Sequence, residues 1–142
     1  MVTGSMLKGF SFFQGFTDVQ LKKLAAIAVE ESCEAGTTMY QKGDPARSLF
    51  LVREGKIILV MDSYMGPHRA AMQITVDVIA KGETMGWSAL VEPHIYTLGA
   101  LCIDRASLIS LDAVKLRALL SKDGRLGYKV MQAIAKVVAQ RL

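Results

Sequence analysis

Turn-forming residues interrupt the chain at short intervals from Ala28 to Leu111, a rhythm that leaves room for short strands and little else. Ala35-Gly36, Lys42-Gly43-Asp44-Pro45, Glu54-Gly55, Met65-Gly66-Pro67, Lys81-Gly82 and Asp104 supply the breaks. Between them lie β-branched and apolar runs at Ser48–Val52, Lys56–Val60 and Met72–Ile79. In the last run Met72, Ile74, Val76 and Val78 alternate with Gln73, Thr75 and Asp77, the period of a strand with two unlike faces. Many short strands without intervening helices predict an antiparallel sandwich or barrel rather than a parallel sheet. Gly43 and Gly55 fall where hairpins need backbone angles that a Cβ disfavours.

Helical patterns flank this β region. Phe10, Phe12, Phe13 and Phe16 precede a capping box at Thr17-Asp18-Val19-Gln20, and the phenylalanines read as core packing. Val19, Leu21, Leu24, Ala25 and Ala28 then predict an amphipathic helix of about three turns. At the other end Asp112 caps a helix with Ala113, Leu116, Leu119 and Leu120 on one side, and Ser121–Gly124 breaks it. A last helix carries Leu126, Val130, Ala133, Ile134, Val137 and Val138 at three- and four-residue steps. The expected organisation is one domain over residues 1–142, with helices at about 5–27, a roll at about 28–111 and helices at about 112–142.

Composition narrows the function classes. The 142 residues are 51% hydrophobic and 21% charged, which predicts a folded domain rather than disorder. The net charge of +4 is scattered rather than clustered, so a solvated surface explains it better than a nucleic-acid strip. Cys33 and Cys102 lack metal-ligand spacing and read as small apolar residues, with a disulfide left open. No secretion-signal pattern opens the chain, and no apolar run approaches the roughly 18 residues that span a bilayer, so a cytoplasmic location is expected. His68 and His94 have no paired carboxylate or cysteine at ligand spacing, and no nucleophile motif is present, so no enzymatic activity is expected.

The stretch Gly82–Ala100 carries the sharpest signal. Gly82, Gly86, Ala89, Leu90, Pro93, Thr97 and Ala100 match the scaffold positions of a phosphate-binding cassette, Gly-x-x-x-Gly-Glu-x-Ala-Leu followed by Pro-Arg-x-Ala-Thr-x-x-Ala. Upstream, Gly43–Ile57 matches a second pattern, Gly-Asp-x-Ala and then an apolar-aromatic run ending at Gly55. Together the motifs resemble the cyclic-nucleotide-binding domain family of catabolite-activator-like regulators, over about Met6 to Leu142. The resemblance implies an eight-stranded antiparallel jelly roll (a double-stranded β-helix), mainly β, with flanking helices. It also implies a bacterial-type regulatory, ligand-sensing role and a last helix that packs on its twin. Leu126, Val130, Ile134 and Val137 are the expected homodimer seam. No DNA-binding helix-turn-helix is expected in this chain.

Two cassette positions depart from the pattern. Trp87 stands where the family places the glutamate that holds the ribose hydroxyl, and His94 where it places the arginine that holds the cyclic phosphate. The resemblance puts the ligand against Gly86, Trp87, Ser88, Ala89, Leu90, His94, Ile95 and Tyr96, with backbone N–H groups of Ser88, Ala89 and Leu90 as anion donors. Losing the guanidinium removes a charge-assisted contact worth about 1.5–3 kcal/mol, and the ribose contact adds a comparable amount. Together these weaken cyclic-nucleotide binding about a hundredfold to ten-thousandfold. Trp87 either fills the ribose space or offers its indole to a flat ligand; His94 is either an anion contact or a loop residue; Tyr96 either faces the pocket or packs within its strand. No cofactor is assigned, and the ligand implied is a cyclic nucleotide or another small anionic or flat molecule. The alternative is a dimeric protein-interaction module with a vestigial pocket.

Overall fold

The computed structural model describes residues 1–63 and 72–141. The expected turn at Met65-Gly66-Pro67 and His68 lie outside the described residues. Helix α1 spans Gly4–Lys8, α2 Asp18–Ala25, α3 Ala113–Lys122 and α4 Gly124–Gln140. Strands β1 (Ala28–Cys33), β2 (Thr38–Tyr40), β3 (Ser48–Ser63), β4 (Met72–Ile79), β5 (Thr84–Met85) and β6 (Gly99–Asp112) lie between α2 and α3. All pairings are antiparallel, in the order β1-β6-β3-β4, with β2 on β6 and β5 on β3. The fold is therefore an antiparallel β-roll with helices at both ends.

Among the described residues the sheet has six strands against the eight expected, and Gly55 accounts for part of the difference. The sequence suggests a hairpin at Glu54-Gly55, but the residue sits inside β3, where the register with β6 shifts on either side of Glu54. Its φ is +94°, and a Cβ there would lie 2.5 Å from the Arg105 carbonyl oxygen and 2.7 Å from Ala106 Cα. Glycine thus lets β3 and β6 bend together without ending either one. The long paired strands bury Leu49, Leu51, Ile57, Leu108, Ile109 and Leu111. Strand β4 does not bury the predicted apolar face: Met72, Ile74, Val76 and Val78 are 43–59% exposed, Asp77 is half-buried and Ile79 buried, and the register with β3 shifts between Asp77 and Thr75.

The helices follow their local chemistry. Thr17 Oγ1 accepts from Gln20 N at 3.2 Å and Gln20 Oε1 accepts from Thr17 N at 3.0 Å, closing the capping box. Helix α2 is shorter than three turns: Ala28 already belongs to β1, Val19 faces solvent, and Leu21, Leu24 and Ala25 form the buried stripe. Phe10, Phe12 and Phe13 are buried, with Phe12–Phe13 and Phe13–Phe16 in edge-to-face contact at 5.1 and 5.3 Å. Lys129 of α4 lies over the Phe16 ring, 5.6 Å from its centroid.

Helix α4 corrects an expectation. Leu126, Val130 and Ile134, nominated for a seam with a second chain, are 0, 1 and 4% exposed within the chain itself. The helix packs on α3 and on the Ser11–Phe13 turn, so its apolar stripe already has a partner. Val137 is half-buried. The large apolar residues that α4 leaves in solvent are Tyr128 and Met131.

Candidate ligand-binding site

The cassette begins at Gly86, whose φ of +80° and near contact with β3 require glycine: a Cβ would lie 2.9 Å from the Ser48 carbonyl oxygen. A single four-residue 3-10 turn, Trp87–Leu90, follows. Within it Ala89 is fully buried, donates its N–H to the Gly86 carbonyl at 3.1 Å, and accepts from Arg117 Nη1 at 2.7 Å. Ser88 and Leu90 are half-buried. The backbone donors expected of a helix start thus belong to one short turn, and that of Ala89 is already satisfied.

The downstream half of the cassette is tied to the loop before β3. His94 adopts φ +60°, donates its N–H to the Val91 carbonyl at 2.9 Å and accepts from Ala46 N at 2.8 Å through its own carbonyl. Ile95 bridges to Pro45 and is 42% exposed. Tyr96 donates its hydroxyl proton to the Ser48 carbonyl at 2.7 Å and accepts from Ser48 N at 3.3 Å. Its ring stacks on Tyr40 with centroids 3.6 Å apart, and Tyr40 stacks in turn on Phe50. A Cβ on Gly86 would lie 3.3 Å from Phe50 and 3.5 Å from Tyr96. Aromatic rings therefore fill the space beneath Gly86. Burial pushes the phenol pKa of both Tyr40 and Tyr96 up, so both phenols stay neutral.

Open space lies on the other side of Trp87. A cavity of about 800 Å³ separates the roll from α4 and is floored by the segment from Ser11 to Phe16. Trp87 and Thr84 come from the cassette, Val76 and Asp77 from β4, and Lys136, Val137 and Arg141 from the end of α4. Of the eight residues nominated from sequence, Trp87 lines this cavity; the other seven do not.

Arg141 links its walls. Its guanidinium lies over the Trp87 ring, 5.0 Å from the centroid. Nε sits 3.3 Å from Asp77 Oδ2, and Nη2 donates to the Thr84 carbonyl at 2.6 Å. Nη1 is buried and meets no acceptor among the described residues. No local motif marks Arg141 in the sequence, because its role depends on α4 folding back across the roll.

Cys33 and Cys102 are buried free thiols. The Cys102 sulfur lies 2.8 Å from the Asp104 carbonyl oxygen and 3.3 Å from that of Cys33, and burial pushes its pKa up to about 11. Among the described residues no group of three or more His, Cys, Asp or Glu side chains is placed to hold a metal ion. No described helix is long and apolar enough to cross a membrane.

The family model for the cyclic nucleotide-binding domain matches residues 30–123. The chain belongs to that family. The domain is 21% identical over 134 residues to a protein of Rhodopseudomonas palustris (strain ATCC BAA-98 / CGA009) whose name assigns it to potassium channels. The match covers 94% of this chain and 31% of that protein, so the chain spans about a third of the relative's length. A crystal structure from Geobacter metallireducens GS-15, of a protein named for cyclic-nucleotide binding, superposes with a TM-score of 0.87 at 28% identity. It covers 99% of this chain and 98% of the other. The regulatory domain of Toxoplasma gondii PKA with cAMP superposes with a TM-score of 0.75 at 17% identity, over 96% of this chain and 48% of that one. At that identity the likeness concerns the fold. The chain thus has the fold of a cyclic nucleotide-binding domain.

Proposed function

We propose that this domain is a bacterial-type regulatory module that senses a small molecule other than a tightly bound cyclic nucleotide. The observation that carries the reading is the division of space around the cassette. Tyr40, Phe50 and Tyr96 fill the region under Gly86, while the open cavity lies between Trp87 and α4. Trp87 and His94 replace the glutamate and arginine that the family pattern uses for ribose and phosphate. A ligand held between Trp87 and α4 touches both the cassette and the last helix, so occupancy is transmitted as a change in how α4 seats on the roll.

The test is calorimetry at pH 7.5 with cyclic AMP and cyclic GMP. The expected result is no binding tighter than about 100 µM, the consequence of losing two charge-assisted contacts. Low-micromolar binding of either nucleotide overturns the reading.

A second reading has its own observation. Tyr128 and Met131 on α4, with Met72, Ile74, Val76 and Val78 on β4, expose large apolar side chains. These surfaces favour a dimeric protein-interaction module with a vestigial pocket, with the α4 seam on Tyr128 and Met131 in place of Leu126, Val130, Ile134 and Val137.

A further inference from the structure

The cavity wall carries three cations, Lys129, Lys136 and Arg141, against two carboxylates, Asp77 and Glu83. Their commitments differ. Lys129 donates to the Gly15 carbonyl at 2.8 Å and to Gln20 Oε1 at 2.9 Å. Glu83 Oε1 accepts from Ala80 N at 3.0 Å. Lys136 is exposed and makes no ion pair among the described residues.

Of the three, Arg141 is the one with a buried donor that meets no acceptor among the described residues. A guanidinium presents a planar fork that matches a two-oxygen acid, yet here Nε reaches Asp77 only at 3.3 Å, Nη2 is held by the Thr84 carbonyl, and Nη1 meets no acceptor among the described residues. A buried, charged donor without an acceptor is costly, so an acid group that satisfies it gains more than the same group gains at a solvated arginine. Apolar and partly flat side chains, Phe12, Phe16, Leu59, Trp87, Leu98 and Val137, share the rest of the wall with uncharged polar ones.

We propose that the cavity takes an amphipathic anion. Its flat or apolar body lies against Trp87, and its acid group takes Arg141 from Asp77, with Lys136 as the second cation. This inference rests on the cavity being the ligand site and adds the class of ligand. Because Nη1 is buried, the acid reaches the guanidinium by drawing it off Asp77, which moves the end of α4.

The test compares two dyes with the same ring system, 8-anilinonaphthalene-1-sulfonate and the uncharged N-phenyl-1-naphthylamine, and reads the ratio of their dissociation constants. The ratio isolates the acid group, because non-specific apolar binding affects both dyes alike. The sulfonate should bind wild type at least about tenfold more tightly, the scale of one charge-assisted contact. Arg141→Gln should bring the ratio towards one, and Asp77→Asn should raise it by removing the competing carboxylate. If Arg141→Gln fails to fold, Asp77→Asn alone decides: an unchanged or smaller ratio overturns the proposal. Binding of both dyes with a ratio near one overturns the anion class and leaves the cavity as a ligand site. Absence of one-to-one binding by either dye overturns both readings.

Discussion

Tyr96 decides more about the cassette than either substituted position beside it. Its hydroxyl makes two contacts with Ser48 and its ring stacks on Tyr40, so it closes the space under Gly86 while holding the loop before β3. Tyr96→Phe should cost about 0.5–1.5 kcal/mol in urea unfolding, the usual net worth of a hydrogen bond, because the stack survives. Dye binding should not change, since Tyr96 does not line the cavity. The spacing of Gly82, Gly86, Ala89, Leu90 and Pro93 made the cassette legible, because those residues answer to local backbone needs. The direction of the Tyr96 ring was not legible, since it depends on Tyr40 and Phe50 arriving from other strands. Arg141 left no trace at all: an arginine at a helix end looks like any solvated charge until the helix is placed.

At the scale of elements, capped helix starts were readable, whereas the end of α2 and the strand bends were not. Thr17 with Gln20, Asp112 and the break at Ser121–Gly124 act on neighbours three residues away, so sequence alone fixes them. Gly55 answers to Arg105 and Ala106 across the sheet, and reads as a turn until that approach is seen. Asp123 joins α3 to α4, accepting from Leu126 N at 3.1 Å and from Lys23 Nζ at 2.8 Å. The Lys23 hydrogen bond, then that of Leu126 N, hold its carboxyl below the ordinary 3.8. A carboxyl lowered by folding stabilises above its unfolded pKa and loses that contribution as pH falls through the folded value. Asp123→Asn keeps an N-cap but removes the charge. It should lower Tm at pH 7, with the difference from wild type shrinking as pH drops below about 4. A difference that stays constant with pH contradicts the charge-based account.

At the scale of the whole molecule, α4 serves the chain's own core before any partner. Ile134→Asp should abolish the cooperative unfolding transition, because an unpaired charge at a buried site costs several kcal/mol. Met131→Asp should stay folded by circular dichroism, and light scattering should show it as a monomer if wild type is a dimer through α4. A folded, monomeric Ile134→Asp variant would return the seam to the buried stripe. The central claim concerns where the ligand space lies, and Trp87, the one tryptophan in the chain, sits in its wall. Titration monitored by Trp87 emission is therefore the most direct measurement. The account predicts saturable quenching by 8-anilinonaphthalene-1-sulfonate with matching sensitised dye emission, and a change that stays below half-maximal with cyclic AMP at about 100 µM. Low-micromolar quenching by cyclic AMP, or a dye that binds without quenching Trp87, would contradict it.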